Sequence, residues 1–142
     1  MVIRYGMGMK KGIFPGLFIL ALASVNPGCE STKPTMKPTG EVAVPLDAAK
    51  KRGGVTVRLA NLITFTMPPS APGFIWEISF HDTRYLKQQT PVLPPKVPGE
   101  GSTVTFMAIN LGSTRLRFIL VPISTAQAVS PIDQQDINLV IR

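Results

Sequence analysis

Apolar and polar positions alternate along most of the chain beyond Glu41. Period-two alternation puts successive side chains on opposite faces of a β-strand. Val55, Val57 and Leu59 alternate with Thr56 and Arg58 over Val55–Ala60, and Asn61 punctuates. Ile63, Phe65 and Met67 continue the apolar face over Ile63–Met67. The strongest run is Phe74–Phe80, where Phe74, Trp76, Ile78 and Phe80 share one face opposite Ile75, Glu77 and Ser79. A short strand is predicted near Tyr85–Gln89. Val104, Phe106 and Ala108 point inward over Thr103–Asn110, as do Leu116, Phe118 and Leu120 over Thr114–Val121. Ile137, Leu139 and Ile141 do the same over Asp136–Arg142. Glu41–Pro45 predicts a short edge strand, because Pro45 has no N–H to give to a ladder. Leu46–Lys51 is the nearest helix candidate, and it is short.

Seven segments with one apolar face each, joined by turns, predict an all-β fold. The expected architecture is an immunoglobulin-like antiparallel β-sandwich of about seven strands over 41–142. In such a sandwich alternate loops fall at the same end. Three loops are therefore expected to cluster: Pro68–Gly73, the segment ending Pro98–Ser102, and the loop from Pro122. The other end receives tight turns near Asn61, His81–Thr83 and Leu111–Ser113. The first loop is stiff, since Pro68, Pro69 and Pro72 fix their φ angles and Gly73 frees its own. A rigid loop on a rigid scaffold suits recognition. The plain alternative is a set of long connections that turn the chain and do nothing else.

Composition adds an N-terminal segment to this picture. The 142 residues suffice for one domain and a tail, and 44% are apolar, enough for a core. The formal charge is +7, to which Arg4, Lys10 and Lys11 contribute three. Those cations precede an apolar run, Ile13–Val25, so residues 1–28 read as an export signal. Thirteen residues reach only ~20 Å as a helix, short of a ~30 Å hydrocarbon core. Cys29 follows Gly28 directly and resembles the lipobox cysteine of bacterial lipoproteins, which would be lipidated and become the mature N-terminus. Ordinary cleavage nearby with a free thiol, or an uncleaved signal anchor, are the other readings. Residues 29–40 then hold the lipid-attachment Cys29 and a polar Pro/Lys/Thr tether, ~31 Å long over Ser31–Gly40 if fully polyproline-like. Glu30 rather than Asp follows Cys29, which leans towards an outer membrane. The expected location is the cell envelope, exported and held to the membrane through lipid on Cys29.

Chemistry does not suggest an enzyme. His81 is the single His and Cys29 the single Cys, too few for a zinc site. His81 adjoins Asp82, but no nucleophile elbow accompanies them, and a surface turn is the simpler reading. Asp133 and Asp136 lack the spacing of a calcium loop. Gly99-Glu100-Gly101 is too short to cradle phosphate. No metal or cofactor is expected. Lys50-Lys51-Arg52, without interleaved aromatics, reads as a solvated turn and not a nucleic-acid site.

One family resemblance joins these loops. Gly73, Phe74 and Trp76, with Gly99 and Gly101, and with Pro122, resemble in order and spacing the three loop motifs of the chagasin-like inhibitors of papain-type cysteine proteases. Pro69, Ser70, Ala71 and Pro72 stand where that family carries Asn-Pro-Thr-Thr. Ser102 stands for the last glycine of its second motif, and Val121 and Ile123 for the Arg and Trp that flank its third-motif proline. Glu100 lies within the second motif. The resemblance covers Val55–Arg142. It implies an inhibitor acting by reversible occlusion of a papain-like cysteine protease cleft with three loops, as a monomer. A surface-tethered β-sandwich that binds or adheres without inhibiting is the alternative.

Overall fold

Eight strands and one short helix make up the computed structural model, which describes residues 35–123 and 130–142. In chain order they are β1 (Gly40–Pro45), α1 (Leu46–Lys51), β2 (Val55–Val57), β3 (Asn61–Thr66), β4 (Phe74–His81), β5 (Leu86–Gln88), β6 (Thr103–Ala108), β7 (Gly112–Pro122) and β8 (Asp133–Ile141). The expectations for residues 1–34, including the export signal, Cys29 and most of the tether, lie outside the described residues.

The strands form two four-stranded sheets, ordered β1-β3-β6-β5 and β2-β8-β7-β4. Their apolar faces meet in one core. Phe65, Phe106 and Phe118 sit at its centre, fully buried, with Leu46, Ile63, Leu116 and Leu139 around them. Phe65 meets Phe106 edge-on at 6.1 Å between ring centroids and Phe118 at 5.6 Å. Such offset arrangements add to the area that the rings bury. The architecture is the expected all-β sandwich. Its inner pairings are antiparallel, but the sheets are mixed, because β1 runs parallel to β3 and β2 parallel to β8. Helix α1 makes this possible. It follows β1 directly, buries Leu46 and Ala49, and carries the chain across to the second sheet.

Three local expectations are corrected. Phe80 does not face the core. The β4–β7 register slips between Ile78 and Phe80, so Ile78 opposes Phe118 while Phe80 opposes Arg117 on the outer face. This bulge leaves Phe80 50% exposed and turns His81 inward, its ring 5.3 Å from that of Phe106. His81 is thus half-buried at a strand end and not a surface turn residue. The Asp82 carboxylate beside it is engaged by Arg84, whose side chain and backbone N–H hold it down at about 2. That carboxylate orients no histidine. Finally, β8 begins at Asp133, within the stretch expected to be loop. Gln135 fills an inward position with a polar group, so no apolar alternation marks the start.

Candidate functional site at the three-loop end

The antiparallel order brings together the connections after β3, β5 and β7, as the alternation predicts. Each loop is shaped first by its own residues. Phe74 N–H donates to the Ala71 carbonyl (3.2 Å) across Pro72 and Gly73, and Gly73 has φ +87°. Proline followed by glycine at positive φ is the arrangement of a type II turn. The second loop repeats it. Glu100 N–H donates to the Val97 carbonyl (3.1 Å) across Pro98 and Gly99, where φ is +89°.

The loops are then fastened to the scaffold and to each other. Trp76 is buried at 3% exposure, and its indole Nε1–H donates to the Pro68 carbonyl at 2.9 Å. The Ser70 hydroxyl donates to the Phe74 carbonyl at 3.1 Å across the base of the first loop. Met67 N–H donates to the Ser102 carbonyl (2.9 Å), joining the first loop to the second. Ile123 N–H donates to the Gly73 carbonyl (2.8 Å), joining the third loop to the first. Gly101 lies so close to the first loop that a Cβ on it would sit 1.5 Å from the Met67 carbonyl oxygen. Leu93 and Thr103 exchange two backbone bonds, of 2.7 and 3.0 Å, that hold the second loop against β6.

The fourteen residues singled out from the sequence therefore share one end of the sandwich, in two settings. Pro69, Ser70, Ala71, Pro72, Gly73, Gly99, Glu100 and Ile123 are exposed. Phe74, Gly101, Ser102, Val121 and Pro122 are half-buried, and Trp76 lies beneath the surface. The second group positions the first. Sequence reading missed three exposed apolar side chains on the same loops: Leu93 (40% exposed), Val97 (52%) and Ile132 (59%), which join Ile123 (61%). An isolated Val or Ile in a Pro-rich loop carries no periodic mark that would single it out. The end is almost uncharged. Residues 67–73 and 121–132 carry no ionisable side chain, and Lys96 and Glu100 are the two charges of the second loop. Residues 124–129 of the third loop lie outside the description.

No protein-family model matches the chain, and no curated protein sequence matches it. Solved structures resemble it. The cysteine protease inhibitor EhICP2 from Entamoeba histolytica superposes with a TM-score of 0.54 at 14% identity, over 72% of this chain and 96% of that one. Amebosin reaches 0.47 at 9% identity, over 74% and 99%. PbICP-C, in a structure with falcipain-2, reaches 0.44 at 7% identity, over 76% and 93%. At these identities what is shared is the fold, and the first of them carries that statement.

Proposed function

We propose that this chain is a non-catalytic inhibitor of papain-like cysteine proteases, which lays its three-loop end over the protease cleft and keeps substrate out. The observation that carries this reading is the fastening of the loops into one unit, through Met67 to Ser102 and Gly73 to Ile123. Likeness in fold to a cysteine protease inhibitor supports it. The first two loops, already held by their turns and cross-bonds, lose little freedom on docking, which leaves more of the contact energy as affinity. The Pro72-Gly73 turn cannot lie extended along a cleft as a substrate does, and proline offers no N–H to it. The loop would fill the cleft without being cut. Exposed Ile123 and Val97 would rest on either side.

Titrating papain with the full chain tests this. Inhibition at micromolar protein is the expected result. The double variant Gly73→Arg, Pro122→Arg should weaken it by roughly tenfold or more, because it strains the turn at Gly73, where φ is +87°, and because a charge buried unpaired at an interface costs over ~1.4 kcal/mol. Circular dichroism should stay unchanged. Absence of inhibition at micromolar excess counts against the reading. The replacement of Asn-Pro-Thr-Thr by Pro69-Ser70-Ala71-Pro72 favours a second reading, a tethered module that binds another protein with the same end; unchanged binding by the double variant would support neither. For either reading we place the chain at the cell envelope, anchored through lipid on Cys29. A mature chain with an unmodified Cys29 thiol, detected by mass measurement, would rule the anchor out.

A further inference from the structure

The net positive charge of the domain lies on one flank. From Thr35 to Arg142 there are eleven Lys and Arg and seven Asp and Glu side chains. Six of those cations lie on the segment from Lys37 to Arg58 or line its clefts: Lys37 just before β1, Lys50 and Lys51 in the last turn of α1, and Arg52, Arg58 and Arg142 along the clefts. Two carboxylates, Glu41 and Asp47, accompany them. The remaining five cations and five carboxylates balance. Two of these cations are also tied in pairs, Arg84 to Asp82 and Arg117 to Asp136, each at 2.7 Å. Among the described residues, Arg52, Arg58 and Arg142 make no such pair.

The same flank is where the sandwich is open. β1 and β2 are the outermost strands of their sheets, and each leaves one backbone edge without a partner strand. Between them runs a seam of two adjoining clefts, of about 540 and 400 Å³. Val42 and Thr56 line both, so the clefts are continuous. Arg58 and Arg142 line the first, where Glu41 is the one carboxylate side chain beside them, and Arg52 lines the second. Unpaired strand edges bind extended chains through their main-chain groups. Guanidinium groups along such an edge select carboxylates on the incoming chain.

We propose that this seam is a second binding surface, which takes an extended acidic peptide segment as an added strand along β1, the longer edge, with its carboxylates on Arg52, Arg58 and Arg142. The partner follows from charge and shape together. A second copy would bring the same excess of cations and be repelled. The lining residues include no aromatic side chain on which bases could stack, which disfavours a nucleic acid. A concave seam with free backbone groups fits one extended chain better than it fits the broad surface of a bilayer. The surface is separate from the three-loop end and does not depend on what that end binds.

Fluorescence anisotropy with the full chain tests the proposal. The probe is a labelled peptide of about ten residues alternating Glu and Val, long enough to span the edge. It should bind at low salt and weaken steeply as salt screens the contact. The variant Arg58→Glu, Arg142→Glu should bind it roughly tenfold more weakly or worse. Lys50→Glu, Arg52→Glu provides the same readout at the other cleft should the first variant misfold. The same peptide with alternate backbone nitrogens methylated should lose binding, because it cannot add to a strand. Three results would overturn the proposal. One is no binding of the acidic peptide at low salt. Another is equal binding of the methylated peptide or of a Lys-Val peptide. The third is charge-dependent binding to phosphatidylglycerol vesicles without any to the peptide.

Discussion

Trp76→Ala should be the most damaging single substitution on this end of the molecule, costing about 3–5 kcal/mol in urea unfolding. The side chain is 3% exposed and belongs to the central core, so its removal leaves a cavity that strands on both sides cannot close. A domain of this size holds only about 5–15 kcal/mol in total. The variant therefore loses a large share of that margin and should melt well below the parent chain. Trp76→Phe separates packing from the loop. It keeps most of the buried area and removes the Nε1–H bond to the Pro68 carbonyl. Stability should fall by about 1 kcal/mol for that bond. Inhibition, if the proposed function holds, should fall by more than stability does, because the first limb of the loop is released. Equal unfolding midpoints for Trp76→Phe and the parent chain would show that the indole bond does not brace the loop.

Gly101→Ala should follow closely, and for a different reason. The added Cβ would meet the Met67 carbonyl oxygen at 1.5 Å and the carbonyl carbon at 2.7 Å. Both obstacles are backbone, so no rotamer can relieve them. The two loops must separate, and the Met67 to Ser102 bond with them. Overpacking of this kind costs about 1–3 kcal/mol or more. Gly99→Ala is the control. Gly99 has φ +89° but open space where a Cβ would point. It should incur only the left-handed backbone penalty, about 1–2 kcal/mol. Thermal melts of both variants, with papain titration alongside, check the order. A Gly99→Ala chain as damaged as Gly101→Ala would mean that loop conformation, and not close approach, governs this end.

That contrast marks the limit of what the residues disclosed in advance. Both glycines were visible as a pair two apart, but their roles differ because of what lies opposite each. Gly99 makes a turn, a local matter. Gly101 lets another loop pass, which depends on a strand that begins forty positions earlier. The strands themselves were legible because alternation is also local. Val104-Phe106-Ala108 and Ile137-Leu139-Ile141 could face only one way. Alternation says nothing of direction, so the parallel placement of β1 and β2 was not accessible. A bulge leaves no mark in composition either, and Phe80 looked like a core residue until the register slipped beneath it. The clustering of the loops was legible, since it follows from counting strands. The bonds that lock them were not, apart from the prolines that made the first loop stiff.

The parallel pairing of β1 with β3 has a mechanical consequence. Gly40 is level with Asn61 and Pro45 with Thr66, and Thr39 N–H donates to the Ala60 carbonyl. The chain thus joins the sandwich at the end remote from Pro68–Gly73, about 20 Å away at ~3.3 Å per residue. A pull on the N-terminal side, with the loops held by a partner, would draw β1 lengthwise along β3. All six register positions would then resist together in shear, instead of opening one by one as in a peeled strand. A short edge strand becomes the element through which the domain bears load.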